Sequence, residues 1–522
     1  MNLLMDKWIP VLTRSGRSIR IAPWEVGQQG KDPPVELAFA RSDFTGSMIQ
    51  FLIGALQTVL MPENDDEWLR VYSAPPGPEE LRKRLGVVSP AFDLMGDGPR
   101  FMQAFEEFDK PKTCSIDQLF IDNPGGKTIR QNKDLFVKRD RITSLCPACT
   151  AAALFTLQCN APSGGRGHKT SIRGGGPMTT LLTGDTLWQT LWMNVLPRSV
   201  VEAIPGNWTL DGPEHVFPWL APTRSKEVDA SLGTTAPEDV HPLQVYWNMP
   251  RRIKIQFSRG HTGPCSLCGG QSDVQAEEYE TRPNGVDYTS GVWEHPLSPY
   301  YRDRSGTWLP VHPQPGGIVY RHWMGLVEAS KDEDHRPAMS VRHFRHELSD
   351  RLAIPGQTRI WAFGYDMDNM KARCWYESRM PYVEVESSSL PRFSAFTEGM
   401  VKLAEHASKT LRNCTKQAWV RRPGDAKGDM SVVTSQFWSD TESHFFSALN
   451  RLSSNVGDRA RRAEIKDGWH AQVSKKASQI FDELVLSQPI EHSDPGRIAR
   501  ARQRLLGDLS GGKAKKLLKR MT

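Results

Sequence analysis

The most informative part of the sequence runs from Gly126 to Pro177 and reads GKTIRQNKDLFVKRDRITSLCPACTAAALFTLQCNAPSGGRGHKTSIRGGGP. A cysteine pair, Cys146 and Cys149, lies near its centre, after a loop rich in Lys and Arg. An alanine-rich run suited to a helix, from Thr150 to Gln158, leads into a glycine-rich loop. The cationic members of that loop are Arg166, His168, Lys169 and Arg173. A thiolate pair between two cationic loops indicates a scaffold that presents backbone and charge to a polyanion.

A second cysteine pair, Cys265 and Cys268, follows much later in the chain with the same spacing. Two such pairs can supply four thiolates to a tetrahedral zinc ion, which predicts a site formed by Cys146, Cys149, Cys265 and Cys268. The alternatives are two unrelated pairs or redox dithiols. Four thiolates leave no open position for a substrate, so we expect the zinc to be structural.

The composition is that of a large globular protein. A chain of 522 residues can bury an ample core and is expected to hold two or three domains. The net charge of +6 is weak evidence for a nucleic-acid partner, because its local distribution matters more. We see no signal peptide after Met1, and the longest mostly apolar run, Phe51 to Met61, is too short to span a bilayer. Thiolates reserved for metal favour a reducing cytoplasm. The short apolar runs predict no membrane partner.

The first two thirds of the chain mix helical and strand patterns. Asp43 to Leu60 has apolar residues at helical spacing, and the run Arg251 to Phe257 alternates polar and apolar residues like a half-exposed strand. Near Gln357 to Pro381, an apolar strand from Ile360 to Phe363 is expected to break at Gly364. The polar loop after it is either functional or a surface hairpin tip.

The last part of the chain predicts a bundle. Four amphipathic helices follow one another after Ser387, and the last begins at Pro495 and breaks or bends at Gly511 and Gly512. We therefore predict an α+β protein, with a large mixed α/β zinc-containing N-terminal domain (1–386) followed by a C-terminal four-helix bundle (387–522). The basic last helix and tail are either a solvated face or a surface that faces phosphates, and their one-sided charge favours the second. The residues expected to do so are Arg497, Arg500, Arg504 and Lys515.

No catalytic constellation is apparent. His295 and His312 lack a nucleophile or carboxylate at a spacing that would support catalysis. We expect the protein not to be an enzyme.

Motifs spread over nearly the whole chain resemble one family. They are LLMDKWIPV (3–11), NKDLFVKR (132–139), LCPACTA (145–151), NAPSGGRGHKTSIRGGGP (160–177), WEHPLSP (293–299) and FGYDMDNMKARCW (363–375). Together they resemble the large subunit of the type I-E CRISPR Cascade surveillance complex, the CasA family. The resemblance implies a mixed α/β domain with zinc and a C-terminal four-helix bundle.

The resemblance also implies a function. The large subunit reads the protospacer-adjacent motif (PAM) in duplex DNA through the minor groove and wedges the duplex open for guide pairing. It then helps to recruit a separate helicase–nuclease. The implied partners are the other Cascade subunits, the 5′ handle of the guide RNA (crRNA), double-stranded target DNA and that helicase–nuclease. As in other RNA-guided systems, protein reads the PAM and base pairing reads the rest.

The family's functional positions can be carried over onto matching residues. The implied contacts to the guide handle and neighbouring subunits are Asn132, Leu135, Phe136, Val137, Lys138 and Arg139. The implied PAM-reading glycine loop comprises Ser163, Gly164, Gly165, Arg166 and Gly167. The implied wedge covers Asp368, Asn369, Met370 and Lys371. The family has Gln at the wedge centre, so either Asn369 or Met370 can be the inserting residue here. Where the family has a PAM-contacting Lys, this chain offers Arg302 and Arg304.

Two other function classes remain. One is a zinc-dependent nuclease, which a cleavage assay on plain duplex with divalent metal would reveal. The other is a generic zinc scaffold of another RNA–protein complex, which would lack PAM-dependent DNA binding.

Overall fold

The chain forms two compact units in a computed structural model. The structure describes residues 1–131, 134, 139–165, 167–329, 334–352, 358–368, 371–424, 430–487 and 494–521. The first unit comprises Met1–Pro313 and Ser330–Glu377, and the second comprises Gln314–Ala329 and Ser378–Thr522. The sequence did not assign the segment Gln314–Ala329 to the second unit. We keep the predicted domains, 1–386 and 387–522, as a proposal about which parts fold independently.

The strands form small sheets whose members come from distant parts of the chain. Their bounds are β1 (Ile9–Thr13), β2 (Ser18–Ile21), β3 (Pro34–Leu37), β4 (Lys112–Ser115), β5 (Thr179–Thr183), β6 (Arg252–Pro264), β7 (Gln271–Arg282), β8 (Tyr300–Arg302), β9 (Trp308–Pro310), β10 (His335–Arg336), β11 (Arg359–Asp368) and β12 (Lys371–Pro381). The strand orders are β2–β1–β3, β4–β7–β6, β12–β11–β5 and β10–β8–β9. The sheets therefore join early, middle and late segments of the chain.

The helices range from single turns to the long rods of the second unit. Their bounds are α1 (Ser42–Val59), α2 (Asp65–Ser73), α3 (Pro78–Val88), α4 (Gly126–Arg130), α5 (Pro147–Asn160), α6 (Leu187–Trp192), α7 (Arg198–Val201), α8 (Pro213–Val216), α9 (Trp323–Val327), α10 (Met339–His343), α11 (Leu390–Trp419), α12 (Ser431–Ser453), α13 (Arg459–Val485), α14 (Pro495–Ser510) and α15 (Gly512–Lys519). Among these described helices, none combines the length and apolar character that a membrane crossing requires.

The core of the first unit is built around α1 and α5, which pack against each other. Both helices are buried along almost their whole length, as expected for segments with apolar residues on nearly every side. Phe51 on α1 meets the rings of Phe92, Phe101, Phe155 and Trp247 edge to face, with centroids 5.7–5.9 Å apart. Aromatic pairs prefer this arrangement over a face-to-face sandwich. The predicted helix around Asp43–Leu60 is confirmed.

The β6 strand corrects one expectation. Its polar residues were predicted to face water, yet Arg252 and Lys254 are both buried. Arg252 contacts Glu106 at 2.7 Å and Lys254 contacts Glu107 at 2.6 Å. Carboxylates from a distant part of the chain therefore supply the counter-charges that these buried cations need.

The β11 strand corrects a second expectation. The predicted break at Gly364 is wrong, because the strand continues through it to Asp368. A Cβ atom at Gly364 would lie 2.6 Å from the carbonyl oxygen of Pro177. Glycine here permits a close approach of two backbones, which is one of the recognised uses of glycine inside a strand.

The helices of the second unit form the predicted bundle. The longest, α11, packs against α12, α13 and α14, and α13 also packs against α12 and α14. The chain turns at Gly511 into α15, which packs back on α11. The ring nitrogens (Nε2) of His406 and His470 lie 3.1 and 2.9 Å from the carbonyl oxygens of Asp508 and Leu509. These contacts satisfy carbonyls that the last turn of α14 leaves unpaired. The predicted fold class is confirmed.

Tyr320 anchors the segment Gln314–Ala329 in the bundle. Its ring is fully buried and stacks on Phe445 with centroids 4.4 Å apart. Its hydroxyl lies 2.9 Å from the hydroxyl of Thr441, which also donates a hydrogen bond to the carbonyl oxygen of Phe437. Since this segment precedes the bundle by many residues, the contact is a long-range one.

We predict that Tyr320→Ala destabilises the bundle by about 3–5 kcal/mol, the usual cost of removing a large buried ring. Tyr320→Phe is the matched control and should cost only about 1 kcal/mol, because Thr441 keeps its bond to Phe437. Urea unfolding and hydrogen exchange in α12 and α13 provide the measurement. Unchanged exchange in Tyr320→Ala would mean that this segment does not support the bundle.

Candidate metal centre and nucleic-acid interface

Four cysteines from two distant parts of the chain meet at one point. The sulfur atoms of Cys146, Cys149, Cys265 and Cys268 all lie within 4.8 Å of one another. Cys146 directly precedes α5 and Cys149 lies in its first turn, whereas Cys265 directly follows β6 and Cys268 precedes β7. The group therefore joins the start of a buried helix to the turn of a hairpin.

Backbone hydrogen bonds hold the two cysteine pairs in place. Within the hairpin turn, the Cys265 amide donates to the carbonyl of Gly270, and the Gly269 amide donates to the carbonyl of Cys265, both at 2.9 Å. Between the pairs, the Ser266 amide donates to the carbonyl of Ser144 at 2.9 Å. The sulfur positions are thus defined by main-chain contacts on both sides.

The geometry and chemistry of this site fit zinc. A tetrahedral zinc with Zn–S bonds of about 2.3 Å places its sulfur ligands about 3.8 Å apart. The Cys146 and Cys268 sulfurs are 3.8 Å apart. Hydrogen bonds with the thiols of Cys146 and Cys265, together with burial, raise the pKa of Cys149. A divalent cation would stabilise the thiolates that crowding otherwise disfavours. These four cysteines can therefore hold a metal ion.

The glycine loop is fastened at one side and exposed at the other. Gly167 has a φ of +81°, and its carbonyl accepts a 2.7 Å hydrogen bond from the Asn284 amide. A Cβ atom at Gly167 would lie 2.6 Å from the Cβ of Pro283, so only glycine fits there. Gly164 and Gly165 are exposed, and Ser163 is half-buried. Arg166 lies outside the described residues. The arrangement presents bare backbone at the surface.

One of the predicted loop cations belongs to the core. Arg173 is 1% exposed and donates to the side-chain oxygens of Gln50, Thr179 and Ser298 at 2.8–3.0 Å. No carboxylate among the described residues pairs with it, and burial lowers its pKa. Its placement corrects the sequence-based grouping, because spacing along a loop carries no information on which cation turns inward.

The end of the glycine loop packs directly against β11. A Cβ atom at Gly176 would lie 2.7 Å from the Cβ of Tyr365, and Gly364 meets the carbonyl of Pro177 in the same way. Beyond this contact, β5 pairs with β11 in an antiparallel register that sets Thr179 opposite Phe363. The structure therefore brings together the glycine loop and the hairpin strands β11 and β12, which the sequence had treated as separate stretches.

The hairpin strands end in a charged cluster. Arg373 on β12 donates to both carboxylate oxygens of Asp366, at 3.1 and 2.6 Å, and lies 3.7 Å from Asp368. Below it, the Tyr365 hydroxyl donates to Asp43, which Arg41 also contacts. Asp368 and Lys371 are the exposed ends of the two strands. Asn369 and Met370 lie outside the described residues.

Arg302 and Arg304 have different surroundings. Arg302 ends β8, and its guanidinium carbon lies 4.9 Å from the centroid of the Trp308 ring. Arg336 lies over the same ring at 3.9 Å. Arg304 is exposed in the turn that follows. The contact between Arg302 and Trp308 was not evident from the sequence, because it depends on the pairing of β8 with β9.

Only one end of the predicted guide-handle loop falls within the described residues. Asn132, Leu135, Phe136, Val137 and Lys138 lie outside them. Arg139 is described and donates to both carboxylate oxygens of Asp134, at 2.5 and 2.8 Å, and to the carbonyl of Ile129. Its guanidinium is thus engaged with its own loop.

The basic residues of the last helices differ in their availability. The Arg497 side chain is only 18% exposed and donates to the carbonyl oxygen of Ala418. Arg504 lies 3.5 Å from Asp508. Arg500 and Lys515 are exposed. All four assignments remain predictions, and Arg500 and Lys515 have the surroundings that best suit phosphate contact.

The fold and the cysteine site indicate one class of protein. Its members have a mixed α/β unit that contains a four-cysteine cluster, and a second unit that is a helical bundle. The sequence pattern of CRISPR-associated protein Cse1 matches residues 2–480, and the chain belongs to this family.

Solved structures share this fold. Cse1 of Thermobifida fusca has 18% sequence identity and a TM-score of 0.73, with 100% of this chain and 99% of that chain covered. CasA of Thermus thermophilus has 18% identity and a TM-score of 0.70, with 97% and 99% covered. A chain of a CRISPR RNA-guided surveillance complex has 15% identity and a TM-score of 0.65, with 98% and 99% covered.

We predict that the cysteine cluster binds one zinc ion per chain. Cys265→Ser should lose the metal and lower the melting temperature, because metal binding contributes directly to folding free energy. Elemental analysis and thermal unfolding provide the measurements. Cys374→Ser is the matched control, since Cys374 lies outside the cluster on β12 and should keep both properties. A freshly purified wild-type chain without zinc would contradict the prediction.

Proposed function

We propose that this chain is the non-catalytic large subunit of an RNA-guided DNA surveillance complex of the type I-E Cascade class. It recognises the PAM in duplex DNA through the minor groove, helps to open the duplex for guide pairing, and helps to recruit a helicase–nuclease. The observation that carries the proposal is the exposed glycine backbone at Gly164 and Gly165, in a loop whose end packs against β11. Membership of the Cse1 family supports it.

The glycine loop suits a minor groove. That groove is only about 6 Å wide, so a reader must approach with backbone or a slender side chain. Ser163, Gly164, Gly165, Arg166 and Gly167 are the proposed PAM-reading residues, and Arg302 and Arg304 are further candidates for a cationic contact. Minor-groove patterns are degenerate, which favours tolerance of several related PAM sequences.

The hairpin strands suit a wedge. Unstacking a base step costs a few kcal/mol, which an inserted side chain must offset. Asp368, Asn369, Met370 and Lys371 are the proposed wedge residues. Arg373 forms an ion pair with Asp366 and lies 3.7 Å from Asp368, so it offsets one of the two negative charges at the strand ends. The close contacts at Gly176 and Gly364 tie this wedge to the reader.

The remaining assignments complete the proposal. Asn132, Leu135, Phe136, Val137, Lys138 and Arg139 are proposed to contact the crRNA 5′ handle and other Cascade subunits in the cytoplasm. Zinc, on the four cysteines, is proposed to be structural. A four-thiolate site leaves no open position for hydrolysis, which argues against a zinc-dependent nuclease.

We predict that substitutions in the PAM-reading glycine loop and in the wedge impair different steps in the assembled complex. Gly165→Asp should abolish PAM-dependent binding, because it brings a carboxylate between phosphate-lined walls. Combined Asn369→Ala and Met370→Ala should keep capture but lose strand separation on intact duplex. Gel shifts and a strand-opening fluorescence assay measure the two steps.

A duplex that is pre-melted beside the PAM separates the two roles. This substrate should restore the wedge double variant and leave Gly165→Asp defective. Rescue of both variants, or of neither, would show that the assignment of reader and wedge is wrong.

We further predict that basic residues of α14 and α15 contact DNA phosphates. Arg500→Gln with Lys515→Gln should lower the slope of log K against log salt by about 0.9 per lost contact, without changing PAM preference. Arg497 and Arg504 are expected to add less, because both already contact groups of the bundle. Lys402→Gln with Arg451→Gln is the charge-matched control, since both residues pair with carboxylates. An unchanged slope would indicate a merely solvated surface.

A further inference from the structure

Arg251 occupies a defined place between the core and the glycine loop. It directly precedes β6, and its main chain is held on both sides by the side-chain amide of Gln158. The Arg251 amide donates to the Gln158 Oε1 atom at 3.0 Å, and the Gln158 Nε2 atom donates to the Arg251 carbonyl at 3.0 Å. Gln158 is fully buried on α5, so the position of Arg251 depends on the helix that the cysteine cluster begins.

The Arg251 guanidinium lies under the exposed part of the loop. Its Nη2 atom donates a hydrogen bond to the carbonyl oxygen of Pro162, at the start of the loop. Its Nη1 atom is buried and has no hydrogen-bond partner among the described residues. A Cβ atom built on Gly164 would lie 3.4 Å from this Nη1 atom. An unpartnered cationic donor therefore lies close to Gly164.

The next residue shows how unusual this arrangement is. Arg252 is similarly buried, but it contacts two carboxylates, Glu106 at 2.7 Å and Glu227 at 3.3 Å. Arg251 is 8% exposed, and no carboxylate of the described residues forms an ion pair with it. Burial lowers the pKa of Arg251 to about 10, which leaves the side chain protonated at neutral pH. The charge therefore lacks a counter-ion within the described protein.

We infer that Arg251 is a positioning residue of the proposed PAM-reading loop. It holds the loop through Pro162 and places an uncompensated positive charge beneath Gly164, which favours the negatively charged minor groove of duplex DNA. This inference rests on the proposed function and adds the source of the loop's electrostatic attraction. Glycine at 164 lets that charge lie close to the surface.

Two physical consequences distinguish Arg251 from an exposed cation. Interactions of a buried charge are screened by salt much less than those between exposed charges. Because Arg251 acts from beneath the loop and displaces no counterion from a phosphate, its loss should leave the salt slope of binding unchanged. Arg251 also affects His168 electrostatically: burial lowers the pKa of His168, and the positive charges of Arg251 and Lys112 lower it further.

The test uses the assembled complex and a PAM-containing duplex. Arg251→Gln removes the charge and also shortens the side chain, so that the hydrogen bond to Pro162 is lost, whereas Arg251→Lys keeps the charge. Arg259→Gln is the matched control, because Arg259 is exposed on β6, about 26 Å beyond Arg251 at 3.3 Å per residue. We expect Arg251→Gln to weaken binding and slow association about tenfold, at the low end of electrostatic steering effects, with an unchanged salt slope. Arg251→Lys and Arg259→Gln should stay near wild type.

A second readout uses the free subunit and no DNA. Titration of His168 by nuclear magnetic resonance should show a higher pKa in Arg251→Gln than in wild type, and the Lys variant should retain the wild-type value. Melting temperatures are measured in parallel, and Arg251→Met repeats the test if the Gln variant does not fold. Equal losses in Arg251→Gln and Arg251→Lys, or wild-type binding in Arg251→Gln, would overturn the inference.

The outcomes also separate this inference from the proposed function. If Gly165→Asp leaves PAM-dependent binding intact, the glycine loop is not the reader and the proposed function fails. If Gly165→Asp abolishes binding while Arg251→Gln does not weaken it, only the role of Arg251 fails.

Discussion

The four-sulfur cluster is the constraint on which the rest of the first unit depends. It fastens the start of α5 to the turn between β6 and β7. From there the dependence continues along α5, because Gln158 holds the main chain of Arg251 and the carbonyl of Asn160 accepts a hydrogen bond from the Gly176 amide at 3.1 Å. The two ends of the glycine loop are therefore positioned by the helix that the cluster begins. A metal at this site would stabilise the position of the glycine loop through α5, without contacting the loop itself or anything bound to it.

Close approach of backbones is the second constraint. Neither Gly176 nor Gly364 has room for a Cβ atom. The space beside Gly176 is filled by Tyr365 of β11, and the space beside Gly364 is filled by the backbone of Pro177 at the end of the glycine loop. A displacement of the glycine loop would therefore also displace β11, and the proposed wedge lies at the end of the β11–β12 hairpin. Closely packed interiors transmit strain in this way, since they have few voids to absorb it. The contact gives a physical reason why recognition and opening of a duplex can be linked within one unit.

Buried charge, more than net charge, shapes the proposed interface. The net charge of +6 is small for a chain of this length. The informative cations are buried: Arg252 and Lys254 have carboxylate partners, whereas Arg173 and Arg251 have none among the described residues. An uncompensated charge in a low-dielectric surrounding exerts a stronger field than an exposed lysine in water. This difference would be invisible in any count of basic residues along the chain.

Elements with local or repeated signals could be predicted from the amino-acid sequence. The cysteine spacing predicted the four-residue cluster, because each Cys-x-x-Cys motif is local and the same motif occurs twice. Helical periodicity predicted α1 and the bundle, because it can be seen within a few turns of sequence. Only the tertiary structure decided which cations turn inward, that β11 continues through Gly364, that Tyr320 joins the bundle, and that the glycine loop packs against the hairpin. Each of these depends on a contact between residues far apart in the chain. Spacing and composition record what a residue can do, whereas its neighbours in space decide its burial and its partner.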